Sequence, residues 1–143
     1  MKLREEQTIL RIVSKLLLPF ILLFALYVQF HGDYGPGGGF QAGVIFATGI
    51  VLYGLVFGLE AAETALPPRW LQVLMPLGLL LYAGVGVANI LLGGEYLNYN
   101  TLDAHDPVHG QHLGILLVEL GVGITVAAVM VSVFYAFSDR GKD

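Results

Sequence analysis

Glu119 is the one charged side chain in the apolar run Leu113–Phe137. It stands about two turns into that run, or roughly 9–10 Å at 1.5 Å per residue. An ionised group at the centre of a membrane helix costs about 2.5–3.5 kcal/mol, and less toward its ends. Such a carboxyl must therefore face protein or water. Two readings follow: a stopping point for a proton or sodium ion, or a protonated, hydrogen-bonded group that fixes helix packing. Lys15 is the second candidate, near the start of another apolar run, where its aliphatic stem lets the ammonium reach the interface. It would alternatively pair with an acid on another chain. Lys15 and Glu119 are expected toward opposite membrane faces, so they should not pair with each other.

The segment Asp103-Ala104-His105-Asp106-Pro107-Val108-His109-Gly110-Gln111-His112 gathers three imidazoles at spacings of four and three. On a helix that spacing would bring two or three onto one face, and imidazole suits zinc. Pro107 and Gly110 are expected to interrupt a helix here. The plainer reading is a polar cap against partner subunits, with proton exchange toward the medium as a further option. No metal is assigned. Glu60, Glu63 and Arg69 read as a solvated or interfacial group around the Pro67-Pro68 break.

The third feature is the turn His31-Gly32-Asp33-Tyr34-Gly35-Pro36-Gly37-Gly38-Gly39-Phe40, in which Asp33 would cap its own backbone. Its glycines and proline force a non-helical reversal. The spacing matches neither G-x-G-x-x-G nor the lysine-bearing phosphate loop. A hairpin bringing two helices close is expected, with Pro36, Gly37, Gly38, Gly39 and Phe40 as its structural residues. Broken backbone at membrane depth is tolerated only when protein or a wet cavity surrounds it. Small residues four apart at Gly39/Gly43, Gly54/Gly58 and Gly110/Gly114 also favour close helix contact.

Four apolar runs must position these groups: residues 12–30, 40–59, 70–92 and 113–137. Each has about the 20 residues a membrane helix needs and is too long for a membrane strand. The chain thus reads as a single all-α membrane domain, 1–143, with four transmembrane helices. Lys2, Arg4, Arg11, Lys15, Arg69, Arg140 and Lys142 all fall on one side, while the first and third connections contain no Lys or Arg. That asymmetry predicts both termini in the cytoplasm. The run Leu16–Phe30 could be mistaken for a signal peptide, but Gln29-Phe30-His31-Gly32-Asp33 makes no small-residue cleavage site, so retention is expected.

Composition agrees. Of 143 residues 56% are hydrophobic and 13% charged, against about a quarter charged in soluble domains. A net charge of -4 offers no basic surface for nucleic acid. With no cysteine, disulfides, iron–sulfur clusters and thiol catalysis are excluded. No cofactor is expected.

The string HGDYGPGGGFQAG, the GIVLYGLVFG that follows, and Glu119-Leu120-Gly121-Val122 resemble the B subunit (MrpB, or MnhB) of multisubunit sodium/proton antiporters. That family typically shows His-Gly and then Ser-Pro-Gly-Gly-Gly-Phe opening the second of four helices. Gly35 stands here at the serine position, and Glu119 where Asp is more usual. The resemblance implies a non-enzymatic accessory subunit in a prokaryotic plasma membrane. It would assemble with MrpA, MrpC, MrpD, MrpE, MrpF and MrpG in the bilayer and support proton-driven Na+ efflux. The alternative is the homologous subunit in the sodium module of a membrane-bound hydrogenase or related respiratory complex. A membrane metalloenzyme built on the third-connection histidines is a third, lesser reading, since it needs converging ligands and a base.

Overall fold

A computed structural model describes residues 2–32, 37–103 and 105–142 of the chain. Asp33 and Pro36 lie outside the described residues, and with them the capping and hairpin roles expected of those two. The elements are α1 (Lys2–His31), α2 (Gly39–Phe57), α3 (Leu59–Ala65), α4 (Pro68–Leu91) and α5 (Pro107–Asp139), with single 3-10 turns at Tyr99–Leu102 and Arg140–Lys142. Among the described residues there is no strand. Four helices are long and apolar enough to cross a membrane: Gln7–His31, Gly39–Phe57, Pro68–Leu91 and Val108–Asp139.

Two boundaries differ from the sequence expectation, both for local reasons. The second run, expected to continue to Leu59, ends at Phe57 because Gly58 turns to φ 101° and opens the short α3. Nothing lies within 4 Å of where a Gly58 side chain would begin. Gly54/Gly58 is thus a contact followed by a break, not a contact pair. The last helix starts six residues before Leu113. Pro107 does not interrupt it but begins it, at the position where a missing N–H is harmless. Asp106 caps the helix, its Oδ1 accepting from Val108 N (3.0 Å) and His109 N (3.2 Å). Gly110 lies inside the helix, its N–H donating to Asp106 O at 3.0 Å.

The membrane helices form a curled row. α1 packs on α2, α2 on α5, and α5 on α4, so α2 and α5 are the interior members. Small residues allow the backbones to approach. A methyl group on Gly43 of α2 would lie 2.7 Å from Gly123 O, and one on Gly121 of α5 would lie 2.7 Å from Gly78 O of α4. Without a hydrophobic force between helices in lipid, this kind of van der Waals contact drives association. Three hydroxyls inside the spans are satisfied within their own helices: Thr48 donates to Val44 O, Thr125 to Gly121 O and Ser132 to Ala128 O, at 2.8–2.9 Å.

Ala47, Ala62, Leu71, Ala128, Val131 and Tyr135 make the buried cluster near the α3 end of the row. Tyr135, on α5, reaches the carbonyls of Ala62 at 2.9 Å and Leu66 at 3.0 Å; Ala62 O already accepts from Leu66 N at 2.8 Å, whereas Leu66 O lies past the end of α3. Tyr135→Phe removes the hydroxyl that ties this end of α3 to α5. We expect a loss of about 1–2 kcal/mol for the buried group left unpaired, read as a lower melting temperature of the detergent-solubilised chain.

Candidate functional site

The described ends of the α1–α2 connection, at Gly32 and at Gly38–Gly39, lie against Glu119. A methyl group placed on Gly32 would lie 2.7 Å from Glu119 Oε2, and one on Gly38 would lie 3.0 Å from Oε1. Gly39, the first residue of α2, packs on the Glu119 main chain itself: a side-chain carbon there would meet its carbonyl oxygen and come within 2.9 Å of its Cα. The sequence expectation treated the glycine hairpin and the intramembrane acid as separate features. The structure makes them one site. Gly37 and Gly38 hold φ of 141° and 153°, a region that side chains rarely adopt, and Gly38 passes close to the carboxyl. Gly38 O then accepts from Ala42 N at 2.9 Å to start α2. Phe40 faces outward instead, 57% exposed, and takes no part in enclosing the acid.

Glu119 also lies deeper along its helix than expected. It stands twelve residues past Pro107 (119 − 107), about 18 Å along α5. The turn meets α5 at this level, so the first three turns of α5 and the end of α4 project beyond it.

Two buried amides are absent from the sequence expectation. Gln29, one helical turn before the α1–α2 turn, is 5% exposed; a methyl group on Gly123 would lie 2.8 Å from its Oε1. Its Nε2 has no hydrogen-bond partner among the described residues. Asn89 of α4 is fully buried, with Oδ1 3.2 Å from Thr101 Oγ1. A lone amide within an apolar run is the signal that marks both, because lipid offers it no partner.

Lys15 sits at the other end. Its side chain is exposed, and its Nζ lies 5.5 Å from the centroid of the Phe57 ring, within cation–π range. Seventeen residues of α1 (32 − 15), about 26 Å, separate Lys15 from Gly32 beside Glu119. The two are not brought together, as their expected positions on opposite faces require.

The third connection folds onto the projecting ends of α4 and α5. Gly110 and Gly114, expected to meet a helix, instead receive the 3-10 turn: methyl groups there would strike Tyr99 O and the Tyr99 ring. Burial, together with Tyr82 and Tyr96, raises the Tyr99 phenol above its ordinary value, so it stays neutral. Asp103 ties the strap to α5. Its Oδ1 accepts from His105 N at 3.0 Å and Asp106 N at 3.1 Å, and its Oδ2 lies 3.0 Å from His109 Nδ1. Gln111 Nε2 donates to Asn100 Oδ1 at 2.7 Å. His109 and His112 lie on the helix, three apart, and His105 lies before it. Among the described residues no three His, Asp or Glu side chains gather as a metal site.

Backbone N–H donors, then the His109 contact, lower the Asp103 pKa. A carboxyl with a depressed folded-state pKa contributes stability above its unfolded value, about 3.9, and that contribution is lost as pH falls through the folded value. Amide protection over residues 99–103 and 105–109, taken relative to the intrinsic exchange rate at each pH, should therefore be high at neutral pH and fall below about pH 4. Asp103→Asn should lower it at neutral pH as well. Equal exchange in the variant would remove Asp103 as the fastening.

Residues 9–132 match the domain described as related to the MnhB subunit of Na+/H+ antiporters. The chain is 33% identical over 138 residues to a Staphylococcus haemolyticus protein named as antiporter subunit mnhB2, covering 95% of this chain and 97% of that one. The protein of the same name from Staphylococcus aureus strain Newman shows the same identity and coverage.

Proposed function

This chain belongs to the MnhB family of Na+/H+ antiporter subunits, and from that premise we propose that Glu119 is where it takes part in ion exchange. As an Mrp-type subunit it is a component of a transporter, a multi-pass protein of the plasma membrane that works with other subunits of the same system. The partners we assign are MrpA, MrpC, MrpD, MrpE, MrpF and MrpG. The seven Lys and Arg residues set both termini in the cytoplasm, with the glycine turn and the Asp103 strap outside.

The observation that supports this role is the approach of Gly32 and Gly38 to the Glu119 carboxyl. Main chain, not lipid, lies against both carboxylate oxygens. A bare carboxylate at this depth is costly, whereas a protonated carboxyl or one paired with Na+ has no net charge. Proton and sodium would therefore exclude each other at one group, the elementary requirement of exchange. Four helices with one enclosed acid are too few for a complete alternating-access transporter, which is built from repeated bundles. The subunit works as an accessory on the ion path, and Lys15 marks the cytoplasmic interface of the same helix layer.

The test is Na+-dependent proton movement in everted membrane vesicles from cells whose own copy of this subunit has been deleted. Restoring the chain should restore exchange together with the assembled complex. Assembly restored by a chain with Glu119→Gln, but without exchange, would assign the carboxyl to the path. Full exchange by that variant would overturn the assignment.

A further inference from the structure

Gln41 is the first polar side chain of α2, and nothing described so far gives it a task. It stands three residues after Gly38, which places the two on one side of the first turn. Helical side chains lean toward the N-terminus, so Gln41 leans back over Gly38. A methyl group on Gly38 would lie 3.5 Å from Gln41 Oε1 and 3.0 Å from Glu119 Oε1. The two oxygens thus look onto one point from two helices, and no more than those two distances end to end separates them. Rotation about the last bonds of the Gln41 side chain brings its oxygen and the carboxyl to a single ion.

The plainer use of a glutamine at this third helical position is to reach back to the N-cap N–H. Yet α2 has no side-chain cap. Gln41 is also exposed, whereas Gly38 and Gly39 are buried. The amide therefore stands on the open side of the carboxyl, at the end of the span where hydrated ions arrive. Deeper along α2, residues 42–47 carry no polar side chain.

We propose that Gln41 is a specificity-determining residue of the exchange, one that supplies an oxygen to Na+ as the ion meets Glu119 and contributes nothing when the carboxyl takes a proton. Hard cations are held by several oxygens at once, and amide or carbonyl oxygens replace the water they shed. A proton needs one carboxylate oxygen alone. Gln41 thus acts in the sodium half of the cycle only. This deepens the assignment of Glu119 and rests on it.

The test uses right-side-out vesicles carrying the whole complex, from cells whose own copy of this subunit has been replaced by each variant. Na+ is added at the outer face, and proton exit is followed with a pH-sensitive dye trapped inside. Gln41→Met keeps the length of the side chain and loses the oxygen. Its half-saturating Na+ concentration should rise by about tenfold, the scale of one polar contact to a charge, with the maximal rate near that of the unaltered chain. Gln41→Asn returns the oxygen one methylene short and should fall between the two. Thr48→Val, two turns along the same exposed side of α2 and bonded within its own helix, should change neither quantity. Half-saturation does not depend on how much complex assembles, so a lower yield of a variant leaves the reading intact. An unchanged half-saturation in Gln41→Met, beside an inactive Glu119→Gln, would overturn the proposal and leave Glu119 on the path. So would a lower maximal rate in Gln41→Met with half-saturation unmoved, which marks a packing residue. Full exchange by Glu119→Gln would overturn both assignments together.

Discussion

Gly39→Ala is expected to destabilise the folded chain more than any other single methyl addition to the α1–α2 turn. The added carbon would meet Glu119 O and approach Glu119 C to 2.7 Å, and these are main-chain atoms in the middle of a helix. A side chain can rotate away; a helical carbonyl cannot move without displacing α5. Inserting volume into a packed interior typically costs about 1–3 kcal/mol, and a backbone obstacle belongs at the upper end of that range. The same displacement drags the Glu119 carboxyl from beneath the turn, so exchange should fall along with stability. Thermal stability in detergent, followed by size-exclusion chromatography, reads the first effect. Gly84→Ala in α4 is the matched control, because nothing lies within 4 Å of its added carbon. It should be neutral or, through helix propensity, stabilising by up to about 1 kcal/mol. Equal melting of the two variants would show that α2 and α5 do not touch at this point.

Glu119→Gln should separate exchange from assembly. The amide fills the volume of the carboxyl, so the turn can close on it as before, and yield of the complex should stay near that of the unaltered chain. What the amide cannot do is gain and lose a proton or neutralise a cation. We expect Na+-driven proton movement to fall roughly tenfold or more, about 1.4 kcal/mol or greater on the barrier. Glu119→Asp keeps the ionisable group but withdraws it by one methylene from Gly32 and Gly38, and should retain part of the activity. An Asp variant as inactive as Gln would point to geometry, not charge. A fully active Gln variant would leave the carboxyl a packing group.

Much of this architecture was legible in the chain because lipid imposes simple rules. Apolar runs of about 20 residues fix four helices, and the Mrp-like hairpin string and Glu119 point to the family. Local boundaries were harder. Pro107 reads as a breaker by composition and acts as a starter only because Asp106 precedes it as a cap, a distinction set by one hydrogen bond at each of two amides. Gly58 fits a small-residue pair by spacing, and its role in ending α2 depends on a backbone angle that spacing does not encode. The union of hairpin and acid was hidden for a different reason. Gly38 and Glu119 are 81 residues apart (119 − 38), and only the register between α2 and α5 brings them together. Gln29 and Asn89 were visible as amides in apolar runs, but which buried atom lacks a partner is a property of packing alone.

The level at which the turn meets α5 gives the molecule two heights. α1 ends at His31 and α2 begins at Gly39, both beside Glu119, while about 18 Å of α5 stands beyond that level. The end of the bundle is therefore stepped, and the carboxyl lies at the foot of the step. The distance from that end of the bundle to Glu119 is set by the short α1–α2 side, not by the length of α5 above it.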